Sequence, residues 1–301
     1  MRSPPNRLSS PLLRYVNGEL PANVALAQLL MTSETAALRA ELARSIRQFR
    51  REQREVELRR VLRLRTVWKE SPEAARIVRM ASRAISHDCA SPDDWNRAFS
   101  ELARAAPDAG VALYSLGRRE LLDAATEEIA GFLHRQQLIT PGTTLIDIGC
   151  GSGRVLRRLA PEIRFGIGID VSGGMLSAAR TVAAEHDNIA LLRTSGRDLA
   201  CLRSQTFDLA CAVDSFPYLL LSGVAHDGLR ETARVLKPGG SLLVLNYSYR
   251  GDDEADRADI RNFAQEFGFT IRRNGTREFS LWDAAAFLLR KEAEHGTSAE
   301  R

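Results

Sequence analysis

Two acids and three glycines carry the clearest chemistry in this chain. In Thr144-Leu145-Ile146-Asp147-Ile148-Gly149-Cys150-Gly151-Ser152-Gly153, an apolar run ends in glycines at alternate positions. Backbone without a Cβ takes positive φ readily and comes close to a ligand. A helical pattern follows, with Val155, Leu156 and Leu159 on one side and Arg154, Arg157 and Arg158 on the other. The free N–H groups of a helix N-terminus therefore lie just beyond the loop. A second apolar run, Phe165 to Ile169, ends in Asp170, 19 residues after Gly151. A carboxylate there can accept hydrogen bonds from both hydroxyls of a ribose.

The spacing departs from that of a dinucleotide loop. Counting G-x-G-x-x-G from Gly149 puts Arg154 at the third glycine, and counting from Gly151 puts Leu156 there. Asp147, just ahead of the loop, would repel a diphosphate and attract an ammonium group. A ligand with a ribose and an amino-acid tail suits these residues better than NAD. The order D-x-G-x-G-x-G followed by a ribose acid resembles the first two motifs of the class I S-adenosylmethionine-dependent methyltransferases. That resemblance implies S-adenosylmethionine as the cofactor.

Such a site must be built by a parallel sheet. The segments Ile189 to Arg193, Phe207 to Val213 and Ser241 to Tyr247 read as further strands, with helices over Ser172 to Glu185 and Asp227 to Leu236. Near-continuous apolar strands alternating with helices mean a sheet covered on both faces. Arg234 to Ser248, RVLKPGGSLLVLNYS, resembles the family's segment from fourth helix to fifth strand, with Pro238-Gly239-Gly240 as a turn. A helix over Ala255 to Phe267, a strand over Phe269 to Arg273 and a closing strand or strand pair within Glu278 to Lys291 complete the pattern. The expected fold is α/β, a Rossmann-like, seven-stranded, mostly parallel sheet with helices on both faces, plus an α-helical N-terminal extension. The expected boundaries are 1–110 for the extension (its first eleven or so residues disordered), 111–293 for the cofactor-binding domain and 294–301 for a flexible tail.

The extension reads as helices. A short helical region spans Leu12 to about Leu30. A long helix capped by Thr32 or Ser33 then runs to about Lys69, on Leu38, Leu42, Ile46 and Phe49 followed by Val56, Leu58, Val61, Leu62 and Leu64. Its apolar stripe needs a partner, either the other domain or a second subunit. A substrate-covering role and a homodimer through these helices are the expectation. Another helix fits Glu73 to Ile85, and Ser91-Pro92-Asp93-Asp94 opens one that runs to Ala105. Residues 39–65 hold ten arginines and four glutamates. Acids and apolar residues are interleaved among them, so the run reads as a solvated helix face.

Ligands of open α/β sheets bind beyond the strand C-termini. The resemblance therefore gathers the cofactor contacts at Asp147, Gly149, Cys150, Gly151 and Gly153, at Asp170, Val171 and Met175, and at Val213. It places adenine beside the third strand's end, where many members carry an acid. This chain has Ser195 at that position, so the backbone of Gly196 and Arg197, helped by Asp198, is expected to serve. In the family the helices ahead of the first strand often fold over the cofactor, which brings Tyr114 near it; a buried core tyrosine is an equal reading. Methyl transfer from a sulfonium is an in-line displacement, so the protein mainly aligns the partners and excludes water. A general base is needed only for a protonated nucleophile. Asp214, after the fourth strand, is the first candidate for that base, and Tyr247 is a weaker one. A turn-forming or helix-capping Asp is the alternative for Asp214.

Composition excludes other classes. Hydrophobic residues make up 44% and charged residues 27%, ordinary values for a soluble globular protein. No apolar run approaches the ~20 residues of a membrane span, and the N-terminus has no secretory h-region. Four cysteines without C-x-x-C pairing read as reduced cytoplasmic thiols. Five scattered histidines give no metal site. No N-P-P-Y word is present, which disfavours a nucleic-acid base as acceptor. The expectation is a cytoplasmic enzyme that methylates O or N of a small molecule. The alternatives are other sulfonium chemistry such as cofactor cyclisation, a cofactor-binding scaffold, or an RNA methyltransferase using the basic helix.

Overall fold

Apolar residues at helical spacing fill the N-terminal part of the chain, and five helices form there. They are α1 (Ser10–Val16), α2 (Ala22–Thr32), α3 (Thr35–Arg51), α4 (Glu55–Glu70) and α5 (Ala74–Ala84). The computed structural model describes residues 8–85, 89–106 and 112–293, which divide into two units. The helical unit takes 8–85 together with 112–125 and 279–283. Its core includes Leu12, Leu26, Leu29, Leu38, Leu42, Phe49, Val61 and Leu64, all essentially inaccessible. The Tyr15 hydroxyl donates to the Arg60 carbonyl at 2.9 Å, tying α1 to α4. Asn23, buried on α2, donates its amide to the carbonyls of Tyr114 and Leu281 at 2.9 and 2.8 Å. The Tyr114 and Trp282 rings stack at 5.0 Å within the same unit.

The expected long helix is two helices. After Phe49 the chain runs through six polar residues, Arg50 to Glu55, with nothing to bury. Gln53 takes a left-handed φ of 55° there, and Arg54 N–H donates to the Phe49 carbonyl at 2.9 Å. The Arg54 guanidinium lies over the Phe49 ring, 4.7 Å from its centroid. Folding back lets Leu38, Leu42, Ile46 and Phe49 share a core with Leu58, Val61 and Leu64, which a straight helix would spread along its length. The helical structure also begins at Ser10, inside the stretch expected to lack it; residues 1–7 and the expected tail 294–301 lie outside the described residues.

The sheet unit takes 89–106, 126–278 and 284–293. It includes α6 (Pro92–Ala105), most of α7 (Arg119–Arg135), α8 (Arg154–Leu159), α9 (Gly173–Glu185), α10 (Phe216–Leu221), α11 (Ala225–Val235) and α12 (Asp253–Phe267). Its strands are β1 (Thr144–Ile148), β2 (Phe165–Asp170), β3 (Ile189–Arg193), β4 (Phe207–Val213), β5 (Leu236–Leu245), β6 (Phe269–Arg277) and β7 (Ala285–Lys291). They form one sheet in the order β3-β2-β1-β4-β5-β7-β6. The first five are parallel, and β7 runs antiparallel between β5 and β6. Chain direction across the sheet reverses between β1 and β4, which is where ligands of such sheets bind. Ile146, Ala210, Ala212, Leu242, Val244 and Phe287 pack beneath α11 and α12 residues Leu229, Ala233, Ile260 and Phe263 in one core. Among the described residues, no helix is long and apolar enough to cross a membrane.

Four details differ from expectation. A cut near residue 110 does not separate the units: α6 counts with the sheet, and residues 279–283 count with the helices. Those five residues leave only Ala285–Lys291 as the closing strand. The Pro238-Gly239-Gly240 turn is absorbed into β5 as an irregularity opposite Phe207–Leu209, with Gly239 at φ 76°. A short helix, α10, follows β4, where Pro217 occupies its first turn.

Candidate functional site

The glycine loop is held by the strand beside it. Gly149 and Cys150 N–H groups donate to the Ile169 carbonyl at 2.8 and 3.0 Å. Gly149, Gly151 and Gly153 all have positive φ, between 54° and 75°. A Cβ on Gly149 would sit 2.4 Å from that of Ser215, so the loop packs directly on the residue that follows Asp214. Ser215 fixes that contact by donating its hydroxyl to the Ile148 carbonyl.

Asp170 joins three pieces of the site. Its carboxylate accepts from Gly151 N–H at 2.9 Å and from Ser172 N–H at 2.8 Å. Ser172 in turn caps α9, accepting from Met175 N–H at 3.1 Å. Burial raises the Asp170 pKa above the usual carboxylate range, against the pull of these N–H donors. Asp147 is 1% exposed, and its Oδ1 has no hydrogen-bond partner among the described residues. Burial pushes its pKa up to about 7, with Arg154 opposing the rise and Asp170 adding to it. A buried carboxylate oxygen without a donor is costly unless a ligand supplies one. An ammonium or N–H group fits that need.

The other expected contacts divide. Val171 lines a cavity of about 300 Å³ with Thr194 and Ser195. Gly196, at φ 73°, packs on it so closely that a Cβ would lie 2.6 Å from Val171 Cγ1. Met175 is buried under the start of α9, and the Cys150 thiol faces inward against Gly168. Burial drives that thiol's pKa well up. Val213 is half-buried at the end of β4, paired with Leu245. Arg197 and Asp198 are exposed, and Asp198 accepts from Ala200 N–H at 3.0 Å as a turn-former. Tyr114 belongs to the helical unit.

Asp214 and Asn246 directly follow the adjacent strands β4 and β5, and both take left-handed backbone, φ 59° and 61°. Short polar side chains tolerate this region best. Asp214 Oδ1 accepts from Asn246 Nδ2 at 2.9 Å and from the Tyr249 hydroxyl at 2.6 Å. Tyr247, the tyrosine singled out from the sequence, is instead a core residue: it is 5% exposed and stacks on Phe216 at 5.1 Å. A regular strand would put Tyr247 and Tyr249 on one face, but β5 ends at Leu245 and the chain turns at Asn246, leaving Tyr247 buried and Tyr249 exposed. Trp95 and Phe99 of α6 and Tyr218 of α10 form an aromatic cluster with Tyr249, at centroid distances of 4.9–6.2 Å.

Sequence reasoning did not bring α6 to this place. Ser100 Oγ lies 3.0 Å from Ser172 Oγ and accepts from Gly174 N–H at 3.2 Å. The capping signal at Ser91 gives the helix, and nothing local gives its packing partner.

Residues 145–240 match the family described as "Methyltransferase domain". Residues 145–240 are thus a methyltransferase domain of the class I, S-adenosylmethionine-dependent type. S-adenosylmethionine is the cofactor of that class. Among curated methyltransferases, the demethylmenaquinone methyltransferase of Corynebacterium kroppenstedtii is 38% identical over 108 residues, 36% of this chain and 43% of its own. The 2-methyl-6-phytyl-1,4-hydroquinone methyltransferase of a Synechocystis species is 31% identical over 115 residues, 38% of this chain and 35% of its own. The chain thus spans less than half the length of these two methyltransferases. Among solved structures, a Haloferax volcanii methyltransferase in complex with the Trm112 activator aligns over 65% of this chain and 97% of its own, at TM-score 0.51 and 19% identity. The Haemonchus contortus phosphoethanolamine N-methyltransferase 1 aligns over 70% of this chain and 51% of its own, also at TM-score 0.51, with 13% identity. Both solved methyltransferases share the fold.

Proposed function

We propose that the sheet unit binds S-adenosylmethionine and transfers its methyl group to O or N of a small-molecule acceptor. The observation that carries this reading is the unpartnered, buried Asp147 oxygen beside a glycine loop whose N–H groups are tied to Asp170 and Ile169. The amino-acid tail of the cofactor would supply the missing donor, and Asp170 would exchange loop contacts for the ribose hydroxyls. Bound there, S-adenosylmethionine supplies an electrophilic methyl on a charged sulfur. The residues of this chain then have three tasks: to align the acceptor, to exclude water and to accept a proton where the acceptor carries one. Asp214 suits the last task, one residue from the glycine-loop contact at Ser215, with Tyr249 and Asn246 holding its carboxylate. The named activities of the two curated relatives, on quinone and hydroquinone rings, together with the aromatic cluster around Tyr249, favour a planar aromatic acceptor.

The test is a mixture of candidate phenols, hydroquinols and amines incubated with enzyme and S-adenosylmethionine and read by mass spectrometry. The reading expects S-adenosylhomocysteine to form together with an acceptor heavier by one methylene. Thioether released without any methylated acceptor would contradict it.

A further inference from the structure

The class often recognises adenine with an acid after the third strand, and this chain has Ser195 there. The structure brings a different acid to the same cavity. We infer that Asp93, on the first turn of α6, is the residue that accepts the exocyclic amino group of the cofactor's purine; this rests on the S-adenosylmethionine reading above.

The cavity is bounded on one side by Val171, Arg193, Thr194 and Ser195, and on the other by Pro92, Asp93 and Asn96. It opens beside Val171, the residue after Asp170, so a ribose held by Asp170 leads its base into it. A volume of about 300 Å³ is at the small end of ligand pockets and suits one purine rather than a dinucleotide. Asp93 is the carboxylate among its lining residues. The neighbouring Asp94 is consumed by the helix cap: its carboxylate accepts from the Ser91 N–H and hydroxyl at 3.0 and 2.6 Å. Asp93 makes no hydrogen bond or ion pair among the described residues, and a carboxylate can only accept. The purine amino group can only donate.

The wall carrying Asp93 is fixed. A Cβ on Gly174 would lie 2.8 Å from Ser100 Cα, so α6 meets the start of α9 backbone to backbone. A Cβ on Gly196 would lie 3.2 Å from Pro92 Cβ, which closes the β3 loop onto α6. With its amide turned to satisfy its neighbours, Asn96 donates to the Val171 carbonyl at 3.1 Å and accepts from Arg193 Nη2 at 3.2 Å. Asn96 therefore holds the two walls together and leaves Asp93 to face the ligand.

The experiment is calorimetric titration with S-adenosylhomocysteine and with S-inosylhomocysteine, whose purine carries a carbonyl oxygen in place of the amino group. Wild type is expected to prefer the adenosyl compound by about tenfold or more, the worth of one charged hydrogen bond. Asp93→Asn, which can donate as well as accept, is expected to reduce that preference to about threefold or less. Adding Ser195→Asp to Asp93→Asn is expected to restore it. Asp93 is exposed, so thermal unfolding of the variants is expected to match wild type. An unchanged preference in Asp93→Asn overturns the inference while the S-adenosylmethionine reading stands. Failure of wild type to bind S-adenosylhomocysteine overturns both.

Discussion

The Tyr249 hydroxyl donates to Asp214 Oδ1 at 2.6 Å, and the two residues come from the loops after adjacent strands. The same oxygen accepts from Asn246. Two donors on one oxygen hold the carboxylate in one orientation. Once an acceptor is known, Asp214→Ala is expected to lower kcat by about 10²-fold or more if that acceptor arrives protonated. Tyr249→Phe, which removes one donor and keeps the ring, is expected to cost less, about tenfold. Steady-state kinetics of both variants against pH checks this: equal activity across the pH range removes Asp214 from the chemistry.

The backbone at Asp214 gives a separate, acceptor-free test. At φ 59°, an alanine is strained by about 1–2 kcal/mol, whereas asparagine tolerates the left-handed region. Asp214→Asn is therefore expected to unfold close to wild type in urea, with Asp214→Ala about 1–3 kcal/mol less stable once the lost hydrogen bonds are added. Equal losses in the two variants contradict the strain argument.

Asp147 makes the ligand-free protein sensitive to pH. Its folded pKa is about 7, against 3.8 for the ordinary group. The folded state therefore binds this proton more tightly, and the stability it contributes is full below about pH 4 and lost as pH rises through 7. A shift of that size corresponds to at most about 4 kcal/mol. Thermal unfolding at pH 5.5 and 8 is expected to show the loss in wild type and a smaller one in Asp147→Asn. Affinity for S-adenosylmethionine is expected to run the other way and rise with pH, because its ammonium group prefers the ionised carboxylate. Parallel pH profiles for wild type and Asp147→Asn would contradict this.

Gly174→Ala tests how α6 is seated. The new Cβ would meet Ser100 Cα at 2.8 Å, and backbone cannot rotate out of the way. Overpacking of this kind costs about 1–3 kcal/mol. The variant is expected to lose stability and to bind S-adenosylhomocysteine more weakly, because Ser100 is bonded to the loop that carries Asp170. Unaltered affinity would separate α6 from the cofactor site.

What the sequence made legible follows burial and backbone demand. The strands β1 to β4 read directly, because parallel strands covered on both faces are apolar without interruption. The turn at Gly149, Gly151 and Gly153 read directly because left-handed backbone restricts residue type, and all three glycines take positive φ. Tertiary choices did not read. The break at Gln53 arises because two apolar stripes gain more by facing each other than by continuing one helix. Residues 279–283 leave the sheet because Trp282 finds Tyr114 to stack on and Leu281 finds Asn23. Tyr247 and Tyr249 are two residues apart, and only the packing of Tyr247 on Phe216 and Phe287 decides which of them reaches Asp214.

Calorimetric titration with S-adenosylhomocysteine, in wild type and in Asp170→Ala, tests the assignment most directly. Saturable one-to-one binding is expected in wild type, with no response to NAD. Asp170→Ala is expected to weaken it by about 1–3 kcal/mol, through loss of charged hydrogen bonds to the ribose. Absence of binding in wild type, or equal affinity in the two proteins, would contradict the account.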